Sequence, residues 1–432
     1  MPFVSSLSAL LAALLTSAPA VQSLATPPRT ADAATAVGKA VYLITNDAAN
    51  AVVALPIGAD GKLSRVTTTP TGGAGGVAVD SNGQPATPDA LNSQSSLTVV
   101  GHVSHEQLPT TSMLSSETIF AINAGSNTLS MLSISPSDPT DLRLVGKPVP
   151  IPGDFPNTVA ASSKHNLVCV GATGVRAGIS CSRFSARGVE PMDALRPFAL
   201  GQTTPPHGPL NTVSQVFFSP DESMLFATVK GNGNTTTGFF SAFPVQRSSC
   251  GSSSASVSHT EQRSSPNGTA VLFGSRAIPN THRVFATDAS FGAVVLAVDP
   301  ATGRATTLAK GAIPGQKATC WATLSPATGT AFVTDAATNR IVEMSVSDAS
   351  IVSETDLNGP EGREADPGLI DLAAAGRFLY ALSPGNGTTQ AAVAVVDVRA
   401  NGGKGKGKPA LVQHFGLGKA AGPRAMGMAV LV

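Results

Sequence analysis

Residues 284–298 read "VFATDASFGAVVLAV", two apolar strands joined by a small polar turn. The same arrangement returns as "AFVTDAATNRIVEMSV" from Ala331 and as "FLYALSPGNGTTQAAVAVV" from Phe378, so successive copies begin 47 residues apart. A repeat of this length is typical of a β-propeller, in which each repeat folds as one four-stranded blade. Alternating apolar and polar positions, with Asn, Asp, Gly and Ser in the turns, favour antiparallel strands packed face to face.

Four further hairpins precede these three. They are "VYLITNDAANAVVALPI" from Val41, "IFAINAGSNTLSMLSI" from Ile119, "LVCVGATGVRAGISCSRF" from Leu167 and "LFATVKGNGNTTTGFFSAF" from Leu225. Ahead of each hairpin except the first lies a short apolar segment suited to the innermost strand of a blade: "GGVAVD" at 75, "NTVAASS" at 157, "NTVSQVFFSP" at 211, "GTAVLFGS" at 268, "ATCWATLSP" at 318 and "GLIDLAAAG" at 368.

The last residues of the chain have the character of these inner strands. Residues 424–432 read "RAMGMAVLV", and we expect them to supply the inner strand that the first hairpin lacks. Such closure would remove the open edge that a linear array of sheets exposes. The sequence therefore predicts an all-β fold, a seven-bladed β-propeller closed by its C-terminal strand pairing into the first blade. A two-domain β-sandwich is the alternative.

Composition agrees with an all-β chain and excludes some partners. The 42% of apolar residues support a large core, while 43 Gly, 32 Pro and only 13% charged residues suit strands and turns better than helices. With 28 basic and 27 acidic side chains the formal net charge is +1, so no broad basic surface exists for nucleic acid. We expect no nucleic-acid partner.

The first residues have the pattern of a secretory signal peptide. An apolar stretch centred on residues 7–15 is too short to span a membrane and is followed by small residues suited to cleavage. We expect a signal peptide over residues 1–25, a short linker over 26–38 and the propeller over 39–432, with loop insertions at 101–117 and 246–266. The protein is then secreted, with no membrane span, and lies outside the cell or in the cell wall.

In a secreted protein, the sequons can be glycosylated and the cysteines can form disulfides. N-glycosylation is predicted at Asn234, Asn267 and Asn386, each in a polar, turn-like setting. Cys169 and Cys181 stand nearly symmetrically about the turn of the third hairpin and are predicted to form a disulfide. The pairing of Cys250 and Cys320 stays open. The pattern "HVSH", with His102 and His105, offers too few ligands for a metal, and no cofactor is expected.

From about Lys39 onward the chain resembles the lactonase-type seven-bladed propellers, which include carboxymuconate-lactonizing enzymes and 6-phosphogluconolactonases. Within that family it resembles fungal secreted proteins described as 3-carboxymuconate cyclase-like. The stretches that carry the likeness include "VYLITNDAANAVVALPIGADGKL", "ATCWATLSPATGTAFVTDAATNRIVEMS" and "GMAVL". The resemblance implies a site at the mouth of the central channel, where His, Arg and Glu side chains hold and protonate a lactone.

The motif implied by this resemblance is mostly missing here. Only "GPRAMGMAV" keeps Gly422, Pro423 and Arg424, with Ala425 where the family has histidine. The candidates that remain are His207 as acid or base, Arg424 or Lys317 as a carboxylate binder, and Glu364, Glu361 or Asp366 as a proton acceptor. Each is also an ordinary loop residue.

Two functions from different classes follow. The first is a secreted, N-glycosylated propeller that acts as an extracellular or cell-wall binding and antigenic protein, with a small carboxylated ligand or an extracellular glycan or protein as partner. The alternative is a lactonase or muconate cycloisomerase acting on a small carboxylated lactone or muconate. The missing motif favours the first.

Overall fold

The computed structural model describes residues 37–101, 117–233, 235–247, 255–358, 366–399 and 407–432. These residues form seven antiparallel sheets, which are the seven blades of a propeller. Blade 1 contains β1 (Ala40–Ile44), β2 (Ala51–Pro56) and β3 (Thr67–Pro70). Blade 2 contains β4 (Leu97–Val100), β5 (Thr118–Asn123), β6 (Thr128–Ile134), β7 (Leu142–Leu144) and β8 (Val149–Pro150). Blade 3 contains β9 (Pro156–Ser162), β10 (Leu167–Ala172), β11 (Gly178–Ser185), β12 (Gly188–Val189) and β13 (Arg196–Pro197).

The remaining blades follow the same order from the channel outward. Blade 4 contains β14 (Val213–Phe218), β15 (Met224–Val229), β16 (Phe239–Arg247), β17 (Ala255–Val257) and β18 (Gln262–Ser264). Blade 5 contains β19 (Leu272–Ile278), β20 (Arg283–Asp288), β21 (Gly292–Val298) and β22 (Ala305–Ala312). Blade 6 contains β23 (Thr319–Leu324), β24 (Ala331–Asp335), β25 (Thr338–Met344) and β26 (Ile351–Asp356). Blade 7 contains β27 (Ile370–Ala375), β28 (Phe378–Ser383), β29 (Ala392–Asp397) and β30 (Ala410–Gly416).

The C-terminal strand closes the ring as predicted. β31 (Met426–Leu431) pairs antiparallel with β1 and becomes the inner strand of blade 1, with Ala40 opposite Leu431. Before it stands one turn of 3-10 helix, Gly418–Ala420. No helix in the described part of the chain is long and apolar enough to cross a membrane. The all-β, seven-bladed fold and its mode of closure are therefore confirmed.

One inner strand lies elsewhere than predicted. We expected "GGVAVD", residues 75–80, to line the channel in blade 2, but that position is held by β4, and residues 75–80 form only two isolated bridges, both at Val79. The glycines explain why. A Cβ atom added to Gly75 would lie 2.2 Å from the carbonyl of Asn46, so this segment is pressed against the turn of blade 1 instead of extending as a strand.

The segment 246–266 also differs from its prediction as a loop insertion. In its described part, β17 and β18 both pair with β16 and form the outer edge of blade 4. Residues 248–254, which include Cys250, and residues 102–116 of the other predicted insertion lie outside the described part of the chain, as do the predicted signal peptide and His102 and His105.

Apolar faces of neighbouring blades pack together to form the core. In blade 4 the rings of Phe217, Phe226 and Phe240 pack on one another in edge-to-face or tilted geometry. Val284 and Leu296 of blade 5 belong to the same apolar cluster. Each side chain of this size contributes about 2–3 kcal/mol on burial. The core is thus distributed around the ring rather than concentrated at one point.

Aspartates at the ends of second strands fasten the loops that begin the inner strands. The Asp335 carboxylate accepts hydrogen bonds from the amides of Lys317 (2.7 Å) and Ala318 (3.0 Å). Asp288 does the same for Ala270 (2.8 Å) and Val271 (3.1 Å). Both carboxylates are buried. These residues, predicted as turn formers, therefore also hold the loops around the channel mouth in place.

Candidate functional site

The connection between blades 1 and 2 crosses the face of the propeller at which every inner strand begins. We call this face the upper face and residues 71–96 the crossover. The crossover lies first on the turns of blades 1 and 2, where the Asn46 side chain bonds to both backbone groups of Gly76 (2.7 and 3.0 Å). It then reaches the loop before blade 4, where the Val79 amide donates a hydrogen bond to the Pro206 carbonyl (2.8 Å).

The last part of the crossover descends into the central channel. We call residues 90–96 the plug; all but Ser95 are buried. The Trp321 indole donates to the Ser93 carbonyl (3.0 Å), and Gln94 bonds through its side chain to both backbone groups of Ala322 (2.9 and 3.2 Å). Asp371 accepts hydrogen bonds from the Gln94 side chain (3.1 Å) and the Ser95 amide (3.4 Å).

The plug touches all seven blades. Blades 6 and 7 supply the partners just named, and the Asn157 side chain of blade 3 donates to the Leu91 carbonyl (3.2 Å). In blade 4 the Ser214 carbonyl accepts from the Gln94 amide (2.9 Å), and in blade 2 the Ile122 amide donates to the Ser96 carbonyl (3.1 Å). Glycines make room in blades 1 and 5, since a Cβ at Gly427 or Gly274 would strike the plug. These hydrogen bonds fix the plug against the surrounding blades.

A cavity of about 270 Å³ remains above the plug, at the channel mouth. Its wall comes from the crossover and from blades 4, 5 and 6, and it is largely apolar, with Val271 and Leu210 among the lining residues. Lys230, Asp89 and Cys320 are the ionisable groups deepest in this wall. The Phe273 ring, also in the wall, packs edge to face on Trp321 with ring centroids 5.1 Å apart. A mainly apolar cavity with a few convergent polar groups is the usual form of a small-molecule site.

Lys230 follows β15 and is 2% exposed. Its ammonium donates to the Asn92 carbonyl (2.5 Å) and lies 4.2 Å from the centroid of the Phe273 ring. Burial lowers the pKa of Lys230 from 10.5 to about 8, against the opposing pull of the Asp89 carboxylate. The amine therefore titrates close to neutral pH.

Asp89 and Cys320 respond to the same apolar surroundings. The Asp89 residue keeps part of its surface exposed, but the atoms packed around its carboxyl desolvate it and raise its pKa to about 7, although Lys230 acts in the opposite direction. Burial raises the pKa of the Cys320 thiol well above its usual value. Near neutral pH the cavity thus holds a proton-donating carboxyl, a neutral thiol and a partly neutral amine.

The structure does not bring the predicted site residues together. His207 is exposed in the loop before blade 4. The pKa of Asp80 is lowered, first by the backbone hydrogen bond from Gln84 and to a smaller extent by the charge of His207. Arg424 is exposed just before β31 in blade 1, three blades away around the ring. Lys317 is exposed as well. Glu361 and Glu364 lie outside the described residues.

Asp366, a predicted proton acceptor, is paired with a histidine of blade 7. Its buried carboxylate lies 3.0 Å from Nε2 of His414 on the outer strand of blade 7, beside an open polar groove of about 500 Å³. Grooves of about 450 and 620 Å³ also lie between blades 4 and 5 and between blades 2 and 3. The channel-mouth cavity differs from them because it combines a buried lysine, a carboxyl of raised pKa and an aromatic ring.

The predicted disulfide is present, and two of the three predicted glycosylation sites lie in the described part of the chain. Cys169 and Cys181 stand opposite each other in β10 and β11 and are joined by a disulfide. Asn267 and Asn386 are exposed, whereas Asn234 lies outside the described residues. Within the described part of the chain no group of three or more His, Cys, Asp or Glu side chains is arranged to hold a metal ion.

Sequence reasoning missed the residues that form the cavity. Lys230 stands in "VKGNG", which was assigned to a hairpin turn, and Asp89 in a segment that was given no role. The run "LNSQSS", residues 91–96 directly before "LTVV", is a signal for the plug but not for Lys230 or Asp89. A polar run of that kind beside an inner strand is buried only if it lies within the channel.

Comparison with known proteins shows a likeness in fold. No protein family profile matches the chain, and no curated protein matches it. The structure is similar to the periplasmic gluconolactonase of Pseudomonas aeruginosa, with a TM-score of 0.55 at 16% identity over 91% of this chain and 99% of that one.

Two other solved structures are similar to a comparable degree. A Bacteroides fragilis protein assigned as a 6-phosphogluconolactonase gives a TM-score of 0.56 at 10% identity, covering 94% of this chain and 100% of the other. A hypothetical selenium-binding protein of Sulfolobus tokodaii gives 0.57 at 9%, covering 91% and 93%. At such identities the similarity shows the fold, a seven-bladed propeller of the kind found in lactonases. The narrower resemblance to fungal 3-carboxymuconate cyclase-like proteins stays a prediction.

Proposed function

We propose that this protein is a secreted, N-glycosylated binding protein, which holds a small ligand in the channel-mouth cavity and does not cleave or form lactones. The plug is the observation that carries this proposal. It fills the central channel with chain that is hydrogen-bonded to the surrounding blades. Within the described part of the chain, the plug leaves only the cavity at the channel mouth for a ligand, and the lining of that cavity contains none of the His, Arg and Glu side chains that the resemblance implies for a lactone site.

Size and lining favour a small ligand over a polysaccharide or protein in this cavity. A volume of about 270 Å³ is near the lower end of ordinary small-molecule pockets. The Lys230 ammonium beside an aromatic ring suits a planar ligand that carries a carboxylate or another polar oxygen. A glycan or protein partner would instead use the outer surface.

Secretion is supported by independent features. The N-terminal pattern predicts a signal peptide, the disulfide suits an oxidising compartment, and the two described sequons lie on the surface where an oligosaccharide is tolerated. We therefore place the protein outside the cell or in the cell wall. Digestion of the native secreted protein with an N-glycosidase, followed by mass spectrometry, tests Asn267 and Asn386 separately.

The alternative, a lactonase or muconate cycloisomerase, has one observation in its favour. Val79 and Asp80, which line the cavity, lie against the loop that carries His207. An imidazole at the rim of a cavity is a usable acid or base. The cation that such chemistry needs for the substrate carboxylate would then be Lys230, because Arg424 belongs to a distant blade.

One experiment separates the two functions. Purified secreted protein is assayed for turnover of muconolactones and gluconolactones, and for binding of benzoate and benzyl alcohol followed by Trp321 fluorescence. The binding proposal expects no turnover above buffer and a saturable fluorescence change. The variant Ala318→Phe, which fills the cavity, should weaken binding about 10-fold or more, while the exposed Ala301→Phe should not. Turnover that His207→Ala abolishes in a folded protein would overturn the proposal.

A further inference from the structure

Lys230 is an unusual lysine for this molecule. It is buried at the floor of the channel-mouth cavity, and among the described residues no ion pair at salt-bridge distance includes it. Its nitrogen donates one hydrogen bond, to the Asn92 carbonyl. An ammonium group has three N–H donors, and two of them would lack a hydrogen-bond partner among the described residues here. A neutral amine can donate the one hydrogen bond and still have its lone pair free to react. The setting fits an amine that loses its proton readily.

The groups around this nitrogen differ in the role each can take. Asp89 is the nearby carboxyl group, and its raised pKa of about 7 leaves it partly protonated at neutral pH. The Cys320 thiol has a strongly raised pKa and therefore offers little thiolate to compete as a nucleophile. Burial lowers the pKa of Lys230 to about 8, so a larger fraction of its amine is unprotonated at neutral pH than in an exposed lysine.

We propose that Lys230 is a covalent binding residue, whose Nζ forms an imine with a small, mainly apolar aldehyde or ketone held in the channel-mouth cavity. This inference rests on the proposed function, because it assumes that the cavity receives a small ligand. It adds the chemical class of that ligand and the way in which it is held. Lysines in apolar pockets are the ones that proteins use for such adducts.

The reaction balances with the groups that line the cavity. The lone pair of the neutral amine attacks the carbonyl carbon, a C–N bond forms, and a proton passes from nitrogen to the former carbonyl oxygen to give a carbinolamine. Asp89, as a carboxylic acid, then protonates the hydroxyl group, the C–O bond breaks and water leaves. The products are a protonated imine on Lys230 and the Asp89 carboxylate, which pair as opposite charges. No electrons enter or leave, so no oxidant is needed.

The shape of the cavity limits the carbonyl compound. Phe273 lies next to the nitrogen and offers a ring face, with Val271 and Leu210 also in the wall. A volume of about 270 Å³ accommodates one aromatic ring with a short substituent. Benzaldehyde is therefore a suitable probe, and benzyl alcohol is its counterpart without a carbonyl group.

The test is reductive trapping on the full secreted chain. Protein is incubated with benzaldehyde and cyanoborohydride, and benzylated peptides are quantified by mass spectrometry. Lys230 should be labelled about 10-fold faster or more than the mean of the other lysines. Lys310 provides a matched control, since its nitrogen also lies over a ring, Phe291 (4.1 Å), and donates to a carbonyl, Gly268 (2.5 Å), but it is exposed. Lys310→Met should leave Lys230 labelling unchanged, and Lys230→Met should abolish the fast phase.

A second readout needs no variant. Because the reaction uses protonated Asp89 and neutral Lys230, the rate of Lys230 labelling should pass through a maximum between the two pKa values, near pH 7.5, and fall on either side. Exposed lysines should instead label faster up to much higher pH. Labelling of Lys230 no faster than Lys310 overturns the inference. If benzyl alcohol still binds in that case, the proposed function stands without it; if neither probe binds, both are wrong.

Discussion

Two connections between neighbouring blades show how one propeller builds both its frame and its site. Between blades 5 and 6, residues 313–318 lead directly from β22 to β23. Between blades 1 and 2, residues 71–96 run over the upper face and down the channel before β4 begins. The short connection joins two neighbouring sheets and adds one residue, Ala318, to the cavity wall. The long one supplies the plug, one wall of the cavity and Asp89.

The difference shows that the channel of this propeller is a second core. In the blades, apolar faces bury one another, whereas in the channel a polar segment is buried and held by hydrogen bonds to the surrounding blades. An apolar interface tolerates small changes of packing, but a buried polar group without a partner costs about 1–3 kcal/mol. Substitution of a single hydrogen-bonded residue in the plug should therefore lower the free energy of unfolding more than the few atoms removed would suggest. The loss should still be smaller than that caused by opening the ring.

Opening the ring should have the largest effect. Deletion of residues 424–432 removes β31, exposes β1 and uncovers the surface that Met426, Met428 and Leu431 bury. We expect loss of the cooperative thermal transition, because the burial lost exceeds about 5 kcal/mol and a full row of strand hydrogen bonds goes with it. Removal of Val432 alone, which is 60% exposed, is the control. Unchanged thermal unfolding of the long deletion would refute closure as the source of stability.

Breaking one anchor of the plug should have the next largest effect. Gln94→Ala removes the side chain that bonds to both backbone groups of Ala322 and to Asp371, so the buried backbone groups of Ala322 lose these partners and Asp371 loses one of its hydrogen bonds. We expect a loss of about 3–5 kcal/mol in urea unfolding. Gln84→Ala, on the exposed tip of the same crossover, should stay within about 0.5 kcal/mol. A loss below about 1 kcal/mol for Gln94→Ala would mean that the plug is loosely held.

The plug should also make stability depend on pH through Asp371. Burial raises the pKa of this carboxyl to about 6 in the folded protein, against 3.8 when exposed. Between these values the folded state binds the extra proton, so this group's contribution falls as pH rises through that range. Relative to wild type, Asp371→Asn should gain up to about 3 kcal/mol of stability on going from pH 4 to pH 7. Parallel stability curves for the two proteins would contradict the assignment.

The smallest effect is expected at the outer rim. His207 is exposed, and the contacts of its loop with the crossover run through backbone groups, including Gly208 donating to the Val79 carbonyl (2.7 Å). His207→Ala should change the free energy of unfolding by less than about 0.5 kcal/mol. A loss above about 1.5 kcal/mol would show that the imidazole itself fastens the crossover.

Sequence reasoning succeeded where structure is local and failed where it is not. The hairpins and the closing strand were predictable because period-two alternation and turn residues are read within one repeat. Residues 75–80 carry the same Val-Ala-Val alternation as an inner strand, and only their close approach to Asn46 excludes that role. The site was not predictable, because Lys230 is buried by Asn92, which is 138 residues away in the chain. Nothing local distinguishes such a lysine from one in an exposed turn.

The state of Trp321 tests the filled channel most directly. It is the only tryptophan in the chain, it is fully buried, and its indole nitrogen donates to the Ser93 carbonyl of the plug. We predict blue-shifted emission that iodide does not quench in wild type, and emission that becomes red-shifted and quenchable in Gln94→Ala while the blades remain folded by far-UV circular dichroism. Red-shifted, readily quenched emission from the folded wild-type protein would mean that the channel is open to water, and that the plug does not fill it.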